Sequence, residues 1–121
     1  MPRPVHFEFH SADPERSVAF FGDVFGWRTE RWGDMPYWLQ ETGTDEPGID
    51  GAIAPAEAHG QRVVLTIGVA DLAAYVAKVA AAGGTIVQGR MPIPGIGWFA
   101  MAADPSDMRF GMLETDPSAG S

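Results

Sequence analysis

The chain repeats one pattern of residues at an offset of 58 positions. Residues 13–26 align with residues 71–84: in both segments an aspartate opens a helical pattern, and a glycine closes it thirteen residues later. An apolar, β-prone run precedes each segment, and extended stretches follow it. This repeat of strand, helix and strands predicts one domain built from two fused half-units. A concave site between the halves is then the expected place for function.

The half-units are predicted to cover about residues 4–56 and 62–116, within a single domain of residues 1–116. Residues 55–61 form the only linker-like stretch and mark the boundary between the halves. Two glycines and two prolines in residues 91–97 predict a loop. The last five residues, 117–121, are predicted to be a disordered tail.

The charge of the chain limits its partners. The formal net charge is −8, which argues against nucleic acids and anionic membranes as partners. Because the chain has no cysteine, disulfides, thiolate zinc sites and a cysteine nucleophile are excluded. No stretch resembles a signal peptide or reaches the ~20 apolar residues of a membrane span. A soluble cytoplasmic protein is therefore expected.

The first predicted strand carries the candidate catalytic side chains. His6, Glu8 and His10 alternate with Phe7 and Phe9, so three ionisable groups share one face and two aromatic rings share the other. His6 is suited to act as a general base or a metal ligand, and Glu8 as a base. Structural roles are the alternative, with His6 bonded to a neighbouring carboxylate and Glu8 paired with an arginine.

Two motifs are similar to those of the vicinal-oxygen-chelate superfamily, which includes glyoxalase I, bleomycin-resistance proteins and extradiol dioxygenases. Residues 6–27 (HFEFHSADPERSVAFFGDVFGW) resemble the first strand, helix and turn of glyoxalase-like members. Residues 93–114 (IPGIGWFAMAADPSDMRFGMLE) resemble their closing hairpin. The resemblance implies an α+β fold in which two βαβββ half-units form one curved eight-stranded cup with helices outside. It also implies a homodimer, because relatives cover exposed sheet edges across a two-fold axis.

In metal-dependent members of that superfamily, the ligands come from the first and last strands of each half. The position seven residues before each helix-opening aspartate is His6 in the first half and Val64 in the second. The last strand offers Gly111 where those relatives carry a glutamate, and the fourth position falls near Asp50. A catalytic divalent ion normally needs about three protein ligands, so a complete glyoxalase I metal site is not expected. The resemblance thus implies either no cofactor or a divalent metal held by His6 and Asp50.

Four further residues are candidates for binding a ligand. Trp38 and Trp98 lie in predicted strands and are suited to line an aromatic pocket, with packing in the core or at a dimer interface as the alternative. Arg109 shares a strand face with Gly111 and is suited to bind a carboxylate, with a salt bridge at the rim as the alternative. Gly111 leaves space for a ligand or a neighbouring backbone.

Two functional hypotheses follow. In the first, the protein binds a small aromatic or apolar molecule in the cup, as bleomycin-resistance relatives do. In the second, it is a metal-dependent lyase, isomerase or dioxygenase-type enzyme, in which His6 and Glu8 act on an α-oxygenated substrate. Retention of a metal that is lost in His6→Ala would favour the second hypothesis.

Overall fold

The structure is a computed structural model that describes all residues, 1–121. It contains eight strands and two helices: β1 (Arg3–Ser11), α1 (Pro14–Phe25), β2 (Arg28–Arg31), β3 (Trp38–Glu41), β4 (Gly51–Pro55), β5 (Val63–Gly68), α2 (Leu72–Ala81), β6 (Thr85–Ile93), β7 (Gly97–Ala103) and β8 (Arg109–Thr115). This order is βαβββ, twice, as the repeat predicts. Neither helix is long and apolar enough to cross a membrane.

Contacts divide the chain into two compact units. The N-terminal unit is Val5–Val64, and the C-terminal unit comprises Met1–Pro4 and Leu65–Ser121. The division falls close to the linker-like stretch that separates the predicted half-units. Whether the two units behave as a single domain stays a prediction.

In the N-terminal unit the strands run in the order β2-β3-β4-β1. Strand β1 pairs with β4 in parallel, and the other two pairs are antiparallel. The connecting helix α1 begins where the Asp13 side chain accepts a hydrogen bond from the backbone N–H of Arg16, and Pro14 occupies its first turn. It ends at Gly26, whose φ of 75° is left-handed and favours glycine.

An aromatic cluster fills the space between α1 and the sheet. Phe21 stacks on Trp27 with ring centroids 4.8 Å apart, and Phe9 lies 5.5 Å from Phe21. Phe7 lies 5.5 Å from Trp27. One face of β1 is therefore apolar and packs toward the helix, as the alternation of its residues predicts.

In the C-terminal unit the strands run in the order β5-β8-β7-β6, with β5 and β8 parallel. Helix α2 is capped twice: the Asp71 carboxylate accepts from the N–H of Ala74, and the Glu114 carboxylate accepts from the N–H of Leu72. The helix covers an apolar core. Its buried members are Val69, Leu72, Ala100, Ala102 and Met112.

One local prediction for the C-terminal unit is wrong. Strand β6 continues to Ile93, through the first part of the predicted loop, because Met91 and Ile93 pair with β7. Pro92 is tolerated there because β6 is the last strand in the order of its sheet. Residues 117–120 form a turn, and the 2% exposed Ala119 accepts a hydrogen bond from the N–H of Gly95, while disorder of the tail stays a prediction.

Candidate functional site

The polar face of β1 forms the centre of the candidate site. His6, Glu8 and His10 lie on the face opposite to Phe7 and Phe9, as strand alternation predicts. His6 Nε2 lies 3.0 Å from the hydroxyl oxygen of Tyr37, and His10 Nε2 lies 2.7 Å from Glu8 Oε1. Tyr37 precedes β3, two strands away from β1 in the sheet order. The face is thus completed by a residue distant in sequence.

Tyr37 joins these side chains into one network. Its hydroxyl lies 3.0 Å from His6 Nε2, and the Glu8 carboxylate also acts on that hydroxyl. The interactions therefore run from His6 through Tyr37 and Glu8 to His10. If the phenol donates to the Glu8 carboxylate, His6 Nε2–H donates to the phenol oxygen, and His6 Nδ1 carries the ring's lone pair.

His6 also lies in the wall of a cleft within the N-terminal unit. The cleft has a volume of about 380 Å³, which falls in the range of small-molecule sites. It is lined by His6, Arg28, Thr29, Glu30, Leu39, Gln40, Glu41, Asp50 and Gly51. The lining contains three carboxylates, Glu30, Glu41 and Asp50, and one guanidinium, Arg28, so its net charge is negative.

The polar groups of the cleft are held by one another. Arg28 forms an ion pair with Glu41 on the neighbouring strand. Gln40, 1% exposed, accepts a hydrogen bond from the Thr29 hydroxyl, and the strand register places this pair on the Phe7 side of the sheet, behind the cleft wall. Asp50 Oδ1 accepts from both the backbone N–H and the hydroxyl of Thr42, which fixes the loop before β4. The contacts of Arg28 and Asp50 hold part of the wall that faces His6.

Burial sets the protonation states of His6 and Tyr37. Loss of solvent lowers the pKa of His6 below its ordinary value, and the nearby Glu8 and Asp50 carboxylates oppose this only in part. Burial, together with the charge and hydrogen bond of Glu8, raises the pKa of Tyr37 far above its ordinary value. At neutral pH His6 is therefore a neutral base, and Tyr37 stays protonated.

We expect the ring resonances of His6 in an NMR titration to show a midpoint below the ordinary histidine pKa of about 6.5. Because the folded state holds the proton less tightly than the unfolded chain, His6 favours folding most above pH ~6.5, and this contribution falls as the pH drops through the folded midpoint. His59, in the loop after β4, serves as the comparison within the same spectrum. A His6 midpoint at or above the ordinary value would contradict the burial argument.

A second group of possible ligands lies further along β1. One atom from each of Glu8, His10 and Glu57 falls within 4.8 Å of the others. The sequence placed His10 on this face of β1, and Glu57 was missed because it falls in the linker-like stretch. No local signal marks Glu57, since its approach to His10 depends on the pairing of β1 with β4.

Both tryptophans predicted to bind a ligand lie on sheet faces that point away from the other candidates. Trp38 pairs with Ile53, which pairs with Phe9, and residues paired in this way share a face. Trp38 therefore lies on the apolar face of β1, opposite to His6, and the Arg31 guanidinium sits 5.1 Å from its ring. The register therefore places Trp38 and His6 on opposite faces of the sheet, so the two side chains do not line the same pocket.

Trp98 belongs to the core beneath α2. It packs against the buried cluster of the C-terminal unit, its indole N–H donates to Asp116 at 3.1 Å, and the Arg90 guanidinium lies 3.8 Å from its ring. Along β8, Arg109 and Gly111 share the opposite face, as predicted. The structure thus separates Trp98 from Arg109 and Gly111.

The space beside Gly111 is already filled. A Cβ at this position would lie 2.6 Å from Phe99 Cε1 and 2.9 Å from the Thr66 hydroxyl. Gly111 therefore accommodates the Phe99 ring of the neighbouring strand. Ligand binding at Gly111 and at Arg109 stays a prediction.

The four positions implied by metal-dependent relatives do not fit a metal. His6 has a suitable nitrogen, but Asp50 Oδ1 is engaged by Thr42. Val64 has no donor atom and is buried. Gly111 has neither a donor nor room for a side chain. Only one or two ligands remain where about three are needed.

The chain belongs to the glyoxalase-like domain family, whose sequence profile matches residues 6–113. Solved structures share its α+β, eight-stranded fold, so the predicted fold class and superfamily are confirmed. A glyoxalase/bleomycin resistance protein/dioxygenase superfamily member from Vibrio splendidus 12B01 is 22% identical, covers 96% of this chain and 100% of its own, and superimposes with a TM-score of 0.70. No functionally curated protein is significantly similar to the chain.

Two epimerases are similar at the level of fold. Methylmalonyl-CoA epimerase from Mycobacterium tuberculosis is 15% identical over 94% of this chain and 88% of its own, with a TM-score of 0.67. A variant of methylmalonyl-CoA epimerase from Streptomyces coelicolor, in complex with 2-nitronate-propionyl-CoA, is 16% identical over 93% of this chain and 96% of its own, with a TM-score of 0.64. At these sequence identities the similarity shows only a shared fold, so the chemistry of this protein has to be inferred from the residues of its own site.

Proposed function

We propose that the protein binds a small polar molecule in the cleft of the N-terminal unit. The observation that carries this proposal is a half-buried, neutral His6 in the wall of a preorganised cleft of about 380 Å³. With Nε2 engaged by Tyr37, His6 Nδ1 is the ring atom that accepts a hydrogen bond from a bound hydroxyl, amide or ammonium group.

The charges of the cleft narrow the class of molecule. Glu30, Glu41 and Asp50 outnumber Arg28, whose guanidinium is already paired. These carboxylates would repel an anionic ligand, so the proposed ligand is uncharged or cationic. The ionisable side chains of the cleft also favour a hydrogen-bonding ligand over the aromatic or apolar molecule that the tryptophans suggested.

A ligand screen tests this proposal. Uncharged polyols, hydroxyketones and amides, small amines and a counter-set of carboxylates are added to the protein, and binding is followed by thermal shift and by ¹H–¹⁵N NMR. We expect hits among the first three groups, with an affinity that falls about tenfold in His6→Gln, because one buried hydrogen bond is lost. His59→Gln, a histidine outside the cleft lining, is the matched control. Hits that bind His6→Gln unchanged, or hits confined to carboxylates, would refute the proposal.

A second candidate function is proton transfer at a carbon next to a carbonyl or hydroxyl group. It is favoured by the network in which neutral His6 contacts protonated Tyr37, which in turn contacts Glu8. In this function His6 accepts the proton, and the Glu8 carboxylate, acting through the Tyr37 hydroxyl, stabilises the resulting imidazolium. Exchange of the α-proton of a bound hydroxyketone for deuterium would reveal it, and exchange that persists in His6→Gln would exclude His6 as the base.

A further inference from the structure

The end of β1 brings three potential metal ligands together outside the cleft lining. Glu8 and His10 project from the same face of β1, and Glu57 lies two residues beyond the end of β4. Pairing of β1 with β4 continues past the strand, because the N–H of Ala56 donates to the carbonyl oxygen of Ser11 at 2.9 Å. That contact holds Glu57 near His10, with one donor atom of each of the three residues within 4.8 Å of the others.

The state of His10 is a second and independent observation. The residue is only 6% exposed, and its Nδ1 atom is buried without a hydrogen-bond partner. The other ring nitrogen, His10 Nε2, lies 2.7 Å from Glu8 Oε1, so a carboxylate is the hydrogen-bond partner of this buried imidazole. A cation held by His10 Nε2 and Glu8 would replace that contact, with the ring proton on Nδ1.

We propose that Glu8, His10 and Glu57 bind a divalent first-row transition-metal cation. Ligand distances of about 2.0–2.2 Å place donors of one ion up to roughly 4 Å apart, so small side-chain rotations close the observed span. Two carboxylates and a neutral imidazole offset the charge of the ion. A nitrogen among the ligands favours Zn²⁺, Fe²⁺ or Ni²⁺ over Mg²⁺.

This site differs from the one that the family's ligand positions imply. It contains neither His6 nor Asp50, and its three protein ligands leave coordination positions open to water or a substrate oxygen. The Arg62 guanidinium lies near it but donates to the carbonyl oxygen of His10 at 2.7 Å. The proposal is independent of ligand binding in the cleft, although Glu8 connects the two sites through Tyr37.

Metal binding by three variants tests the proposal. Tag-free protein is stripped with a chelator, dialysed to equilibrium against Zn²⁺, and examined with Co²⁺ for the visible absorption of nitrogen- and oxygen-bound cobalt. We expect about one Zn²⁺ per wild-type chain, and at least about tenfold weaker binding by Glu57→Gln, which removes an exposed ligand without disturbing the sheet. Glu46→Gln, another exposed glutamate of the same unit, is the matched control and binds as wild type does.

His6→Gln separates this proposal from the proposed cleft function. Unchanged zinc binding by His6→Gln, together with weakened binding by Glu57→Gln, supports a site at the end of β1, whatever the cleft binds. Loss of zinc in His6→Gln with retention in Glu57→Gln would place the ion at the cleft and overturn the proposal. Equal binding by wild type and Glu57→Gln, or no binding by either, would overturn it as well.

Discussion

Gly51→Ala is expected to lower the free energy of unfolding by about 3 kcal/mol, since overpacking at a buried site costs this much. The added methyl group would collide with the carbonyl oxygen of Phe7 and lie 2.5 Å from Phe7 Cδ1. Gly51 is buried and pairs directly with Phe7 across the parallel β1–β4 ladder. Relief of the clash requires the strands to separate, because the nearest atom belongs to the backbone.

The same change should disturb the cleft, because Gly51 lines it and His6 precedes Phe7. Urea unfolding gives the stability change, with an expected fall in the melting temperature of roughly 10 °C. The NMR signals of His6 should shift in the fraction that remains folded. Gly48→Ala is the matched control, because nothing lies within 4 Å of its Cβ position. Equal stability of the two variants would mean that β1 and β4 are not so closely paired.

Local rules were sufficient for the helices and for the faces of β1. Asp13 and Asp71 cap their helices through contacts within three residues, which sequence patterns capture. Alternation along β1 assigned His6 and Phe7 to opposite faces without knowledge of the neighbouring strands. The repeat then supplied the order of elements, because each half folds by the same local signals.

The missed parts of the site depend on pairing between distant strands. Trp38 falls on the opposite face from His6 because of the β1–β4–β3 register, and a shift of one residue would have reversed that assignment. Tyr37 reaches His6 over 31 positions of sequence, and Glu57 approaches His10 only through the parallel ladder. None of these contacts leaves a periodic trace in the sequence.

Gly111→Glu, which introduces the residue that metal-dependent relatives carry at this position, is expected to destabilise the protein by at least about 3 kcal/mol rather than to create a metal site. Its Cβ would lie 2.6 Å from Phe99 Cε1, and the carboxylate would enter a buried position next to Thr66. Gly111→Ala isolates the steric part and should cost about 2 kcal/mol.

A double-mutant cycle with Phe99→Ala tests how much of the stability cost of Gly111→Ala comes from contact with the Phe99 ring. If the Phe99 ring occupies the space of the missing side chain, Gly111→Ala should cost clearly less in the Phe99→Ala background, with a coupling of roughly 1–2 kcal/mol in urea unfolding. Additive costs would show that the cost of Gly111→Ala does not come from the ring but from other contacts, such as the Thr66 hydroxyl. A negligible cost of Gly111→Ala in the wild type would show that the ring moves aside freely. With coupling, the loss of the ligand at position 111 is a repacking of β7 against β8, and Phe99 and Gly111 must change together to restore it.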